Sequence, residues 1–170
     1  MNVRERIDVA AALRGPAIRL LSALSLLVAV PVFAVDDVNV STGATPAGPG
    51  LAVRGFDVVS FFQGEPALGS DQFAYAHDGA TYRFVSQANL DAFKANPARY
   101  EPAYGGFCAY GAARGKKFDG DPRYWKIVDG RLYLNLNGDV QAKWNEDIPG
   151  NVKNADANWL KIRAVPVDKL

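Results

Sequence analysis

The stretch FAYAHDGATYRFVS, residues 73–86, decides the fold of this chain. Aromatic side chains recur at every second position on both sides of a central Asp-Gly pair. A period of two is typical of a half-buried strand, and Asp-Gly strongly favours the tight turn of a β-hairpin. The stretch therefore predicts two antiparallel strands joined at Asp78-Gly79.

A helix is predicted directly after this hairpin, near residues 87–95. Ser86 is a favourable N-cap, Leu90 and Phe93 fall on one helical face, and Pro97 ends the helix. An isolated hairpin is only marginally stable in water, so the helix must cover it. The sequence thus predicts a unit of strand, turn, strand and helix.

The same order of elements returns 51 residues later, in YWKIVDGRLYLNLN at residues 124–137. The offset pairs Asp78 with Asp129, Gly79 with Gly130, Tyr82 with Tyr133 and Phe93 with Trp144. A second helix is expected near residues 139–146, beginning at Asn137 or Asp139 and ending before Pro149. We interpret the two hairpin-plus-helix units as a degenerate repeat within one small α+β domain.

The N-terminus has the features of a secretory signal peptide, residues 1–34. Arginines outnumber acidic residues at the start, an uncharged apolar run follows at residues 20–33, and small residues surround a cleavage site before Val35. The apolar run is shorter than the roughly 20 residues that span a bilayer. We expect an exported protein, periplasmic or secreted, with no stable membrane anchor after cleavage; the alternative is an uncleaved anchor.

The remainder divides into a flexible leader and one domain. Residues 35–50 are polar, small and rich in Pro and Gly, whereas aromatic residues become dense in the domain, residues 51–170. The whole chain carries 19 Lys and Arg against 18 Asp and Glu, without the clustered basic face that nucleic-acid binding requires. With one cysteine the chain cannot form an internal disulfide.

Four consecutive segments resemble the exported YHS-domain proteins of bacteria. They are VRGFDVVSFFQGEPALGSDQF, YAHDGATYRFVSQANLDAFKANPARYEP, YGGFCAYGAARGKKFDGDPRYWKIVDGRLYLNLN and VQAKWNEDIPGNVKNADANW, together about residues 53–161. The resemblance implies a small α+β fold built on a hairpin-helix unit. Related YHS modules accompany heavy-metal pumps, but this chain has residues 58–61 and Val85 where those modules carry cysteines. The resemblance therefore implies the fold, and the metal ligands of those modules are not transferred.

Cys108, in the glycine-flanked loop YGGFCAYG, and His77 are the only cysteine and the only histidine of the chain. Cys108 is interpreted either as a reactive thiolate and soft-metal ligand or as a small buried side chain. His77 is interpreted either as an exposed residue beside the turn or as a metal ligand or base near Cys108. No Ser-His-Asp or paired-carboxylate pattern predicts a catalytic site.

A metal site is the first functional hypothesis, with Cys108 and His77 as its ligands and copper as its first metal. A closed Cys/His zinc site needs four ligands, which one chain does not supply, whereas copper has the highest affinity for such donors. Further ligands would be carboxylates from the set Asp57, Asp78, Asp119 and Asp121, or a second subunit. We expect a binding protein rather than an enzyme; the alternatives are a thiol-dependent redox protein or enzyme and a structural or partner-binding module.

Overall fold

Two β-hairpins and six α-helices form a small mixed α/β domain in the computed structural model, which describes residues 37–40 and 50–170. The elements follow in the order α1 (Val58–Phe62), β1 (Ser70–His77), β2 (Ala80–Phe84), α2 (Gln87–Ala95), α3 (Pro97–Tyr100), α4 (Ala109–Ala113), β3 (Asp121–Val128), β4 (Arg131–Asn135), α5 (Gly138–Glu146) and α6 (Ile148–Ile162). The predicted signal peptide, residues 1–34, lies outside the described residues. Among the residues that are described, no helix is long and apolar enough to cross a membrane.

Both Asp-Gly pairs lie at hairpin tips, as predicted from the sequence. Asp78 and Gly79 have φ angles of 45° and 78°, and Asp129 and Gly130 have φ angles of 50° and 74°. Two consecutive residues in the left-handed region are required by the type I′ turn, whose twist matches that of the strands it joins. The turn chemistry therefore fixes both hairpins locally.

The two predicted helices are also confirmed. Ser86 caps α2 by accepting a hydrogen bond from the Asn89 backbone N–H at 3.2 Å. Asn137 caps α5 in the same way, accepting from the Val140 N–H at 3.0 Å. Each cap satisfies one of the N–H groups that a helix start leaves without an internal partner.

Four further helices were not predicted, and α6 is the longest of them. Pro149 ends the predicted helix but also lies in the first turn of α6, where its missing N–H costs nothing. Asp147 caps this new helix by accepting from the Gly150 N–H at 2.9 Å. Asn158 of α6 donates from Nδ2 to the carbonyl groups of Ala112 and Ala113, which docks α6 on α4.

The backbone repeats itself with an offset of 51 residues. β1 pairs Ser70 with Phe84 and β3 pairs Asp121 with Asn135, and each hairpin has an irregular register directly after this pair. Helices α4 and α5 begin and end 51 residues after α1 and α2. We call residues 53–101 the first repeat and residues 104–152 the second repeat.

Two apolar clusters form the core, and the first also contains Leu132 and Leu134 of the second hairpin. In the first, Phe93 of α2 lies with its ring centroid 4.7 Å from that of Tyr82 and 5.2 Å from that of Phe84. In the second, Trp144 of α5 lies 5.5 Å from Tyr133. Burying aromatic rings of this size supplies much of the stabilisation of a small domain. Position 93 and its counterpart 144 therefore attach each helix to its hairpin.

The predicted leader, residues 35–50, is described only at residues 37–40 and at Gly50. There, Asn39 is buried; its backbone N–H donates to the Gly105 carbonyl at 2.8 Å and its Nδ2 donates to the Gly106 carbonyl at 3.4 Å. A Cβ atom on Gly105 would collide with the Asp37 carbonyl oxygen. This short stretch therefore packs on the segment that connects the two repeats.

Candidate metal site

His77 is the last residue of β1 and lies directly before the first hairpin turn. Its side chain is 23% exposed, and its Nε2 lies 2.8 Å from Oε1 of Glu101 and 3.7 Å from Oδ2 of Asp78. Glu101 follows α3, at the start of the segment that connects the repeats. The fold thus brings the only imidazole of the chain between two carboxylates.

Aromatic rings fix the orientation of the His77 imidazole. The ring of Tyr75 stacks on it at 6.1 Å with an interplanar angle of 18°, and the ring of Phe93 meets it edge-on at 5.6 Å and 89°. Tyr82 lies 6.3 Å away and is buried. Burial raises the pKa of Tyr82 well above its ordinary value, and the charges of Glu101 and Asp78 raise it further. The Tyr82 hydroxyl therefore stays protonated and does not act as a ligand. The Tyr82 ring packs beside the imidazole instead.

The three side chains are placed so that they could hold a metal ion. One ligand atom from each of His77, Asp78 and Glu101 can be chosen so that all lie within 4.8 Å of one another. Metal–nitrogen and metal–oxygen bonds are about 2.0–2.2 Å long, so neighbouring ligands of a four-coordinate ion lie about 3.4 Å apart. The distances from Nε2 of His77 to the Glu101 and Asp78 oxygens, 2.8 Å and 3.7 Å, lie on either side of that value. We call these three residues the His77 site.

The His77 site is open to solvent on one side. The Asp78 side chain is 74% exposed and that of Glu101 is 30% exposed. A structural metal site is closed by four protein ligands, whereas three ligands leave a position for water or another small ligand. The arrangement therefore suits an exchangeable ion better than a structural one.

Cys108 lies in different surroundings. It is 1% exposed and caps α4, with its Sγ accepting a hydrogen bond from the Gly111 N–H at 3.4 Å and lying 3.8 Å from Oδ1 of Asn135. Burial raises the pKa of the Cys108 thiol, although the N–H groups of Gly111, Leu136 and Tyr110 act in the opposite direction. A neutral, buried thiol is neither a nucleophile nor a ready metal ligand.

Cys108 and His77 have different hydrogen-bond partners in the described part of the chain. No hydrogen bond joins the two side chains, and Cys108 is not part of the group of potential ligands around His77 in the described part of the chain. Cys108 instead follows a short 3-10 helix, Ala103–Gly106, and forms an isolated β-bridge with Leu134 of β4. The interpretation of Cys108 as a small buried side chain agrees with this location.

Of the carboxylates considered as further ligands, only Asp78 lies at the His77 site. Asp57 is fully buried and caps α1. Asp121 accepts hydrogen bonds from Arg123 and Arg54, and the Arg123 guanidinium in particular lowers the pKa of Asp121 to about 2. Asp119 lines a shallow cavity of about 160 Å³.

Glu101 is the member of the His77 site that sequence reasoning missed. It is 24 residues from His77 in the chain, and no local motif links a residue after a short helix to a hairpin tip. The α2 and α3 helices return the chain to the hairpin, because Phe93 packs on Tyr82 and Tyr100 packs edge-on against Phe62 at 5.4 Å. This packing places the Glu101 side chain next to His77.

The chain matches none of the protein-family models, curated proteins or solved structures with which it was compared. The resemblance to YHS-domain proteins therefore stays a prediction from the sequence motifs.

Proposed function

We propose that this chain is an exported, YHS-like binding domain without catalytic activity that binds a divalent transition-metal ion, Cu²⁺ first, at His77, Asp78 and Glu101. The ion would sit on the exposed side of the first hairpin tip, with water in the position that the protein leaves open. Such an ion is held for exchange or transport rather than as a permanent part of the core.

The observation that carries this proposal is the difference between the two repeats. The counterparts of His77 and Glu101 in the second repeat are Val128 and Val152, and both valines pack against the second apolar cluster. The equivalent positions in the second repeat are therefore apolar, and Val152 lies within α6, whereas Glu101 follows the end of α3. Because the fold does not require ionisable groups here, the imidazole and carboxylate of the first repeat favour a binding role.

Copper in its divalent state fits the donors that the site offers. Imidazole and carboxylate ligands suit Cu²⁺ and Zn²⁺, and Cu²⁺ has the highest affinity among the first-row divalent ions. Cu⁺ prefers thiolate and thioether ligands, and the buried Cys108 thiol does not supply one to this site. The sequence-based hypothesis of a copper site shared by Cys108 and His77 is thus replaced by one centred on His77 and two carboxylates.

Copper affinity should depend on pH in a defined direction. The ion binds the neutral imidazole of His77, so protons compete with it for the same nitrogen. The ion must also replace the 2.8 Å hydrogen bond between His77 and Glu101. We expect the affinity for Cu²⁺ to fall as the pH is lowered.

A double substitution that copies the second repeat tests the proposal. Titration of the full chain with Cu²⁺, followed by calorimetry and electron paramagnetic resonance, should show one bound ion with imidazole nitrogen coordination. The variant His77→Val with Glu101→Val should keep its circular dichroism spectrum and lose at least about tenfold in affinity, since it removes two of three ligands. Unchanged affinity in the folded variant would refute the site.

A matched control comes from the equivalent turn. Asp78→Asn keeps a residue that tolerates the left-handed turn and removes a carboxylate, so it should weaken Cu²⁺ binding. Asp129→Asn makes the same change at the second hairpin tip, where Val128 and Val152 provide no ligands, and should leave the affinity unchanged. Equal effects of the two substitutions would assign the binding to surface charge instead.

Export is tested separately. Mass spectrometry of the periplasmic or secreted fraction should find a mature N-terminus near Val35, because the basic start and short apolar run are features of a cleaved signal peptide. Recovery of intact residues 1–34 in that fraction would contradict the proposal.

A further inference from the structure

Glu101 belongs to the segment through which the first repeat passes into the second. Its backbone N–H donates to the Pro97 carbonyl at 2.9 Å and so closes α3. Tyr104 and Gly105, three and four residues later, have φ angles of 57° and 60°. We call residues 101–106 the connector. A turn in this uncommon backbone conformation persists only where the surrounding contacts hold it.

The connector also carries the stretch of residues 37–40. Asn39 donates from its backbone N–H and from Nδ2 to the carbonyl groups of Gly105 and Gly106. On its other side, the Tyr104 hydroxyl donates to Oδ1 of Asp156 in α6 at 3.0 Å. Movement of the connector would therefore disturb its hydrogen bonds to Asn39 and to Asp156 of α6.

The two hairpin tips are attached to the following segments by different chemistry. In the second repeat, Val128 and Val152 each pack against the second apolar cluster, and Val152 lies within α6. In the first repeat, His77 meets Glu101 at 2.8 Å, a contact between an imidazole and a carboxylate that are both partly exposed. A partly exposed pair of this kind contributes little to stability by itself.

We propose that the ion bound at the His77 site acts as a clasp that fixes the first hairpin tip to the connector, so that metal loading stabilises the connector and the stretch of residues 37–40 lying on it. This inference rests on the proposed function, because it requires the ion at His77, Asp78 and Glu101. The ion binds one ligand from the connector and two from the hairpin tip, and it favours the state in which the three are close.

Hydrogen exchange of the full chain, measured by mass spectrometry with and without a saturating concentration of Cu²⁺, tests the clasp. The informative amides are those of Glu101 and Asn39, whose hydrogen bonds report on the two ends of the connector. Their exchange should slow by at least about threefold with the ion, because a ligand that binds only the closed state lowers the population of open states. Amides at the second hairpin tip, Asp129 and Gly130, should not change.

The variant His77→Val with Glu101→Val supplies the decisive comparison. Because this variant lacks two of the three ligands, its exchange at the connector should not slow when Cu²⁺ is added. If Cu²⁺ binds the unchanged chain at one site but slows exchange only at residues 77–79, the clasp is refuted and the proposed function stands. If no Cu²⁺ binds, the proposed function and the clasp are both refuted.

Discussion

Cys108 occupies in the second repeat the place that Asp57 occupies in the first. Each is the N-cap of a five-residue helix, and each accepts a hydrogen bond from the backbone N–H three residues further on, at 3.3 Å from Ser60 and 3.4 Å from Gly111. Asp57 also accepts from the Val85 N–H. This equivalence explains Cys108 as a buried N-cap of α4, a structural role for which a reactive thiol is not required.

Cys108→Ser should therefore be tolerated. The serine hydroxyl is a good N-cap and can accept from Gly111, so the loss of unfolding free energy should stay below about 1.5 kcal/mol. Cys108→Ala removes the cap as well and should cost about 1 kcal/mol more. Urea denaturation measures both values.

Neither substitution should alter Cu²⁺ affinity by more than about twofold, because residues without shared contacts behave independently. A large loss of affinity in folded Cys108→Ser would restore Cys108 as a metal ligand.

Asp57→Ala should be among the most damaging substitutions in the chain. The fully buried carboxylate accepts from the N–H groups of Val59, Ser60 and Val85 and from Nδ2 of Asn89 at 2.6 Å. Removing it leaves several buried donors unpaired, and we expect a loss of about 3 kcal/mol or more. Chemical denaturation gives the value.

Asp139→Ala is the matched control for Asp57→Ala, since Asp139 is exposed in the first turn of α5. Its effect should stay below about 1 kcal/mol. Similar losses in the two variants would show that the Asp57 network contributes no special stability.

Gly79→Ala and Gly130→Ala should destabilise the domain by similar amounts, about 1–2 kcal/mol each. Both glycines have φ near 75°, at 78° and 74°, and a Cβ atom at either would meet nothing within 4 Å. The cost therefore comes from backbone conformation alone. Thermal denaturation of the two variants measures it.

Gly138→Ala serves as the comparison, because Gly138 is the first residue of α5 and has no left-handed conformation to lose. Alanine is a better helix former than glycine, so this variant should be neutral or slightly stabilised. A loss at Gly138 equal to that at Gly79 would contradict the backbone explanation.

Asp121 should contribute to the sensitivity of the domain to acid. Hydrogen bonding from Arg123, the largest cause, lowers the pKa of Asp121 from 3.8 to about 2. A carboxyl group whose pKa is lower in the folded state stabilises the fold above its unfolded pKa, and this contribution is lost as the pH falls from about 4 to about 2. Asp121→Asn should remove that part of the acid dependence, measured as urea midpoints across this range.

Turn chemistry made the hairpins predictable. A left-handed turn depends only on the two residues that form it, so Asp78-Gly79 and Asp129-Gly130 can be recognised without knowledge of the rest of the chain. The caps Ser86 and Asn137 are equally local, since each contacts a backbone N–H three residues away. The α6 helix was missed because Pro149 and Gly150 resemble a loop, although Pro is favourable in a first helical turn.

The sequence by itself determined the two hairpin-plus-helix units, their offset of 51 residues and the candidate status of His77, because these depend on local periodicity and residue type. Only the tertiary structure decided that Glu101 meets His77 and that Cys108 is buried beside Asn135. Both facts depend on how helices pack back onto hairpins, through contacts between residues that are 24 and 27 positions apart. The burial of Cys108 and the proximity of Glu101 to His77 arise from the packing of the whole domain. No short stretch of sequence contains that information.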